Sequence, residues 1–74
     1  MEGAVSLFKW LWRCGFLEDL DYDEEGNIKI AFHVKSFDLR AFEEFAHTLN
    51  YMVVDVQVQV RDNGRITLYL QPLR

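Results

Sequence analysis

Both tryptophans of the chain lie in one apolar stretch, Val5-Ser-Leu-Phe-Lys-Trp-Leu-Trp-Arg-Cys-Gly-Phe16. At about 100° per residue, the pattern predicts a helix over residues 3–14, with Ser6, Lys9 and Arg13 in one narrow polar stripe. An ordinary surface helix needs a modest apolar stripe to pack against its own core. The surplus apolar surface therefore predicts a second contact, made with another subunit, a target protein or a membrane surface.

The composition indicates one small domain that spans residues 1–74. Half of the 74 residues are hydrophobic and 15% are aromatic, which is enough apolar material for a packed core. The formal charge is −4, and the eight Lys and Arg residues are scattered along the chain. Nucleic acid is therefore disfavoured as a partner, because duplex-binding proteins carry a clustered basic footprint.

The N-terminal stretch does not have the pattern of a secretion signal or a membrane span. It opens without a basic segment, and Lys9 and Arg13 interrupt the apolar run. These two cations and the net negative charge also make a membrane surface a weak expectation. Cys14 is the one cysteine and can form no internal disulfide, which favours a reducing, cytoplasmic setting.

The aromatic side chains of this helix cannot all face the same way. Trp10 and Trp12 diverge by about 200° on a helix, so at least one of them should lie outside the contact with the sheet. Packing inside the core is the alternative role for either ring. We predict that Phe8, Trp10 and Trp12 contact the partner, and that Gly15 ends the helix in the left-handed conformation.

The apolar period changes to two after the helix, which predicts a β-hairpin over residues 16–34. A three-residue loop, residues 24–26, requires Gly26 in the left-handed conformation. This register places Tyr22 opposite Ile28. Glu18 would then face the core, so we expect the strand to start or to bulge there.

A second helix is expected to follow, capped by Ser36 or Asp38 and running to about Asn50. Its apolar residues form one stripe: Leu39, Phe42, Phe45, Ala46 and Leu49. The opposite side carries charged residues, and a solvated face is the favoured interpretation.

A second hairpin is predicted from two further strands. The even-numbered residues from 52 to 60 should share the core face, and Pro72 should end the last strand. A two-residue turn at Asn63-Gly64 would set the apolar residues on opposite faces, so we predict a three-residue loop, residues 62–64. That register aligns Val58 with Leu68. The predicted core includes Phe45, Leu49, Val56, Val58, Leu68 and Leu70.

Sliding the chain on itself by 38 positions brings Gly26 onto Gly64 and aligns helix with helix and strand with strand. This match predicts a structural repeat of residues 4–35 and 42–73. Two helix-hairpin units predict an α+β fold of order αββαββ, in which a four-stranded antiparallel sheet carries both helices on one face. The other face is polar, and contact with water is its expected state.

The titratable side chains predict no active site. Catalysis requires convergent groups, yet His33 belongs to the sheet and His47 to the polar side of the second helix. The carboxylates of Asp19, Asp21 and Asp23 share a strand face, where nearby cations are favoured over a bound divalent ion. We therefore expect no catalytic residues, no metal and no cofactor.

The sequence favours a small non-enzymatic interaction or regulatory module. Its partner would be a second copy, giving a homodimer through the first helix, or another protein. The alternative is binding of a small molecule or of single-stranded nucleic acid on the polar sheet face. The expected contacts there are Lys29, His33, Arg61, Arg65 and Tyr69.

Overall fold

The computed structural model describes residues 2–60 and 64–73. Two helices and four strands follow in the order α1 (Glu2–Trp12), β1 (Gly15–Tyr22), β2 (Ile28–Val34), α2 (Leu39–Thr48), β3 (Tyr51–Gln59) and β4 (Arg65–Pro72). The strands form one antiparallel sheet in the order β1-β2-β4-β3. The predicted α+β class and the element order αββαββ are confirmed.

The helix α1 ends two residues before the predicted position. Two hydrogen bonds between residues three apart tighten its last turn. The backbone N–H of Arg13 donates to the backbone oxygen of Trp10 at 3.3 Å, and the backbone N–H of Cys14 donates to the backbone oxygen of Leu11 at 2.9 Å. Neither helix in the described part of the chain is long and apolar enough to cross a membrane.

Gly15 is the first residue of β1, and the prediction that it ends the helix in the left-handed conformation is wrong. The described glycines with a positive φ are Gly26 and Gly64. Close packing explains the glycine at position 15, because a Cβ there would overlap the carbonyl oxygen of His33.

The first hairpin has the predicted register, with Tyr22 opposite Ile28 and a φ of 89° at Gly26. The carboxylate of Asp23 organises the loop by accepting hydrogen bonds from the backbone and the side chain of Asn27 at 3.0 and 2.9 Å. These bonds, that of the Asn27 side chain above all, lower the pKa of Asp23. The ionised carboxylate therefore stabilises the loop above the ordinary aspartate pKa, and this contribution is lost as the pH falls through the lowered value.

The bulge expected at Glu18 is present, since the register of β1 against β2 shifts between Leu17 and Asp19. Leu17 lies opposite Phe32 in the core, and Phe16 lies opposite His33 on the other face. A charged residue at a core position therefore predicted the irregularity correctly.

The second hairpin is displaced by two residues from the predicted register. Val58 lies opposite Ile66 rather than Leu68, and Gln59 lies opposite Arg65. The predicted register is therefore wrong, and Asp62 and Asn63 of the predicted loop lie outside the described residues. A displacement of two keeps every side chain on its face, so the alternation of apolar residues could not distinguish the two registers.

A bulge also divides β3, between Val53 and Asp55. Val53 lies opposite the buried Leu70, whereas Met52 lies opposite Gln71 and is half-exposed. The expectation that the even-numbered residues from 52 to 60 share the core face is therefore wrong. The Asp55 carboxylate accepts a hydrogen bond from the backbone N–H of the next residue at 2.9 Å.

One hydrophobic cluster joins both helices to the sheet. Its buried members are Ala4, Leu7, Leu11, Cys14, Ile28, Ile30, Phe32, Phe42, Ala46, Leu68 and Leu70. Three predicted core residues pack against it at intermediate burial: Phe45, Leu49 and Val56. The placement of Val58 in the core is wrong, because this residue of an edge strand is 59% exposed.

The helix α2 begins after Asp38, one of the two predicted caps, whose side chain accepts a hydrogen bond from the backbone N–H of Ala41 at 3.1 Å. Phe42 and Ala46 occupy the buried centre of its apolar stripe. The helix contacts β3, and α1 contacts both β1 and α2.

Gly64→Ala is expected to lower the free energy of unfolding by about 1 kcal/mol, because a left-handed conformation is unfavourable for a residue with a Cβ. The φ of Gly64 is 74°, and the added Cβ would lie 3.9 Å from the Cβ of Val34, which is an ordinary contact. Urea denaturation measures this difference. An unchanged midpoint would contradict the left-handed assignment.

Candidate interaction surface

Trp10 belongs to an aromatic cluster inside the fold. The centroid of its ring lies 5.4 Å from that of Phe42, 6.1 Å from Phe45 and 6.2 Å from Phe37. Phe8 also packs against the core at intermediate burial. Two of the three residues that the sequence assigns to partner binding are thus largely used in contacts within the subunit.

Trp12 is the exposed tryptophan of α1, with 73% of its surface accessible. It points away from the core because it lies about 200° around the helix from Trp10. Phe16, at the start of β1, is 76% exposed. We call Trp12 and Phe16 together the aromatic patch.

The sequence interpretation did not predict that Phe16 is exposed. Without a bulge, the alternation of Leu20 and Tyr22 would direct Phe16 toward the core. The bulge reverses this alternation and turns Phe16 outward. The expected bulge at Glu18 was therefore the signal from which the exposure of Phe16 could have been inferred.

The aromatic patch borders a recess of about 360 Å³ where α1 ends and β1 begins. Its lining residues are Trp12, Arg13, Gly15, Phe16, His33, Val34 and Lys35. Arg13 and Lys35 are exposed, and His33 is partly exposed. The recess thus combines two large aromatic rings with basic side chains.

Two of the predicted sheet-face contacts are paired with a carboxylate. The bulge residue Glu18 lies 2.5 Å from Nε2 of His33 and 3.5 Å from an Nη atom of Arg65. All three side chains are partly exposed, so this small network contributes little to the stability of the fold.

Two other predicted contacts meet on the polar face of the sheet. Lys29 lies opposite Tyr69, and its Nζ is 5.9 Å from the centre of the Tyr69 ring. An open cleft of about 310 Å³ lies here, with Asp21 and Gln71 among its lining residues.

The four predicted sheet-face contacts that the structure describes do not form one site. Lys29 and His33 are four residues apart on β2, which separates them by roughly 13 Å. Lys29 and Tyr69 therefore form one group, and His33 and Arg65 another. Arg61 lies outside the described residues.

The described residues contain no group of three His, Cys, Asp or Glu side chains placed to hold a metal ion. Cys14 is buried, and its Sγ lies 3.6 Å from the backbone oxygen of Trp10, to which it donates a hydrogen bond. Burial raises the pKa of this thiol, so it carries less of the reactive thiolate form at neutral pH.

Comparison with protein-family models, curated proteins and solved structures finds no match to this chain. Its function must therefore be inferred from its own residues and their arrangement.

Proposed function

We propose that the protein is a small non-enzymatic interaction module that binds a protein partner through the aromatic patch. The observation that supports this function is the 73% and 76% exposure of Trp12 and Phe16 beside one recess. Burying a large apolar side chain is favourable by about 1.5–3 kcal/mol. Aromatic residues also dominate the binding energy of many protein interfaces.

We further infer that both helices cover one face of the sheet. This arrangement is supported by the single core cluster, in which Leu7 of α1 and Phe42 of α2 join Ile30 and Phe32 of β2. The aromatic patch then lies at the rim of the helical layer, beside the polar face. A reducing, cytoplasmic setting suits the single buried cysteine.

The partner expected from the sequence is a second copy or another protein. Because Trp10 packs against α2, a homodimer through α1 would depend chiefly on Trp12 and Phe16. Sedimentation at high micromolar concentration tests the homodimer directly. A monomer under these conditions would leave another protein as the partner.

Changing both Trp12 and Phe16 to glutamine is expected to weaken partner binding while leaving the fold intact. Exposed positions of this kind usually alter stability by no more than about 0.5 kcal/mol. Binding is measured by selecting peptides from a random display library with the wild-type protein and then testing them on the double variant. We expect the affinity to fall at least about tenfold, equivalent to 1.4 kcal/mol.

Trp10→Gln is a contrasting variant, because it changes the aromatic cluster inside the fold instead of the exposed patch. It removes a tryptophan from the cluster formed with Phe37, Phe42 and Phe45, so it should lower the unfolding midpoint. Selected peptides that bind the double variant as tightly as the wild type would exclude the aromatic patch as the contact surface.

A second candidate function is supported by the cleft at Lys29 and Tyr69. An aromatic ring beside a cation can stack a nucleobase or another flat ligand and neutralise its negative charge. Oligothymidine is a suitable probe, with binding followed by fluorescence anisotropy. We expect binding that weakens with added salt and with Tyr69→Leu, whereas binding insensitive to salt would argue against this function.

A further inference from the structure

We infer that the aromatic patch recognises an acidic segment of another protein, in which carboxylates flank an apolar side chain. This inference rests on the proposed function of the patch and specifies the chemistry of its partner. It derives from the charges that surround Trp12 and Phe16.

The rim of the patch is basic. Arg13 and Lys35 are exposed and line the same recess as the two rings, together with His33. Among the described residues that line this recess, none is acidic. The carboxylate of Glu18, which contacts His33, is shared with Arg65. A partner carboxylate placed near Arg13 or Lys35 would therefore meet cations within hydrogen-bonding reach.

This basic rim stands out against an acidic chain of net charge −4. Five of the twelve acidic residues fall between positions 19 and 25, toward the far end of the first hairpin. Asp19, the first of these five, lies three positions after Phe16 on β1, roughly 10 Å along the strand, and Tyr22 at the end of the strand lies six positions after Phe16, roughly 20 Å. Because the Debye length is about 8 Å in physiological salt, the five acidic residues are largely screened at the patch, where the local charges are those of Arg13, Lys35 and the Glu18 network.

The charges also disfavour two other occupants. Two copies facing patch to patch across a two-fold axis would bring the Arg13 and Lys35 side chains of both subunits together, with like-charge repulsion. An anionic bilayer is wider than the basic rim, so it would also face acidic residues outside the rim, in a chain whose net charge is −4. A protein segment can place a few carboxylates beside Arg13 and Lys35 without repulsion between two basic rims and without covering the acidic residues outside the rim.

The test is the composition of peptides that the wild-type protein enriches from a random display library. We expect the enriched peptides to carry net negative charge and at least one aromatic or aliphatic residue. Synthetic versions should bind about tenfold more weakly to the double variant Arg13→Gln, Lys35→Gln, a loss equivalent to about 1.4 kcal/mol. Arg40→Gln removes another exposed cation, from α2, and should leave the affinity unchanged.

Different experimental outcomes would overturn the acidic partner and the proposed function. Enriched peptides that need Trp12 and Phe16 but show no excess of acidic residues would overturn the acidic partner and leave the patch as a binding surface. Peptides whose binding is independent of both rings, or the absence of any enrichment, would overturn the proposed function itself.

Two further measurements address the other occupants. Sedimentation that shows a wild-type dimer, dissociated by the double change of Trp12 and Phe16 to glutamine, would make a second copy the partner and overturn the inference. Patch-dependent binding to vesicles of phosphatidylcholine and phosphatidylserine, in place of peptide binding, would overturn it in favour of a membrane. A monomer that ignores the vesicles and binds acidic peptides would support it.

Discussion

Replacing Gly15 with alanine is expected to lower the free energy of unfolding by about 3 kcal/mol, the upper end of the range for overpacked sites. The new Cβ would overlap the carbonyl oxygen of His33 and lie 2.9 Å from its carbonyl carbon. Both are backbone atoms of the adjacent strand β2, so no side-chain rotation can relieve the overlap. The oxygen of Cys14 also accepts hydrogen bonds from the backbone N–H groups of Lys35 and Ser36 at 2.7 and 2.8 Å, which fixes this joint.

Gly64→Ala is the matched control for this substitution. It adds the same methyl group at a left-handed position without steric overlap, and we expect a loss of about 1 kcal/mol. In urea denaturation, a larger loss at Gly15 than at Gly64 would show that the close packing at Gly15 costs more than an alanine in the left-handed conformation. A Gly15→Ala protein as stable as the wild type would show that β1 and β2 are not packed this closely.

Phe32→Ala should produce the largest loss among core truncations, about 3–5 kcal/mol. Phe32 is fully buried on the inner strand β2, and its ring lies 5.3 Å from that of Phe37 in an edge-to-face arrangement. A domain of this size has a stability of the same order, so the variant should be largely unfolded by circular dichroism.

Two companion variants keep this prediction testable if Phe32→Ala does not fold. Phe32→Leu retains most of the apolar volume and should remain folded, with a lower unfolding midpoint. Val58→Ala should change stability by no more than about 0.5 kcal/mol, because Val58 is 59% exposed. A larger loss at Val58 than at Phe32 would contradict the observed core.

The two hairpins show which features of this fold can be predicted from sequence. In the first, the left-handed Gly26 and the alternation ending at Tyr22 specify the same register, and the structure has it. In the second, registers that differ by two residues place the same apolar side chains on the same face. Alternation therefore predicted the faces of the residues near Val58 but not their partners on β4.

Of the two bulges, the one in β1 could be predicted from the sequence and the one in β3 could not. A carboxylate at position 18 conflicts with a core-facing position, so the pattern itself indicated an irregularity there. A valine at position 54 is compatible with either face of a sheet, and nothing in the alternation marked the second bulge.

The aromatic patch was predicted in part. The angle between Trp10 and Trp12 required at least one of them to leave the sheet contact, but the choice between them depended on where α2 packs. In the fold, α2 and Phe37 surround Trp10, which leaves Trp12 outside. The exposure of Phe16 could be predicted only by applying the bulge at Glu18 to the residues before it, whose side chains then change faces.

The irregular edge strand β3 leads to an expectation about this protein at high concentration. A valine-rich strand at the edge of a sheet is a template on which another chain can add by backbone pairing, the first step toward fibrils. The bulge after Val53 interrupts the regular row of backbone groups, and the Asp55 carboxylate occupies the N–H of Val56. We therefore expect the bulge in β3, which the alternation of apolar residues did not predict, to make this edge a poor template for aggregation.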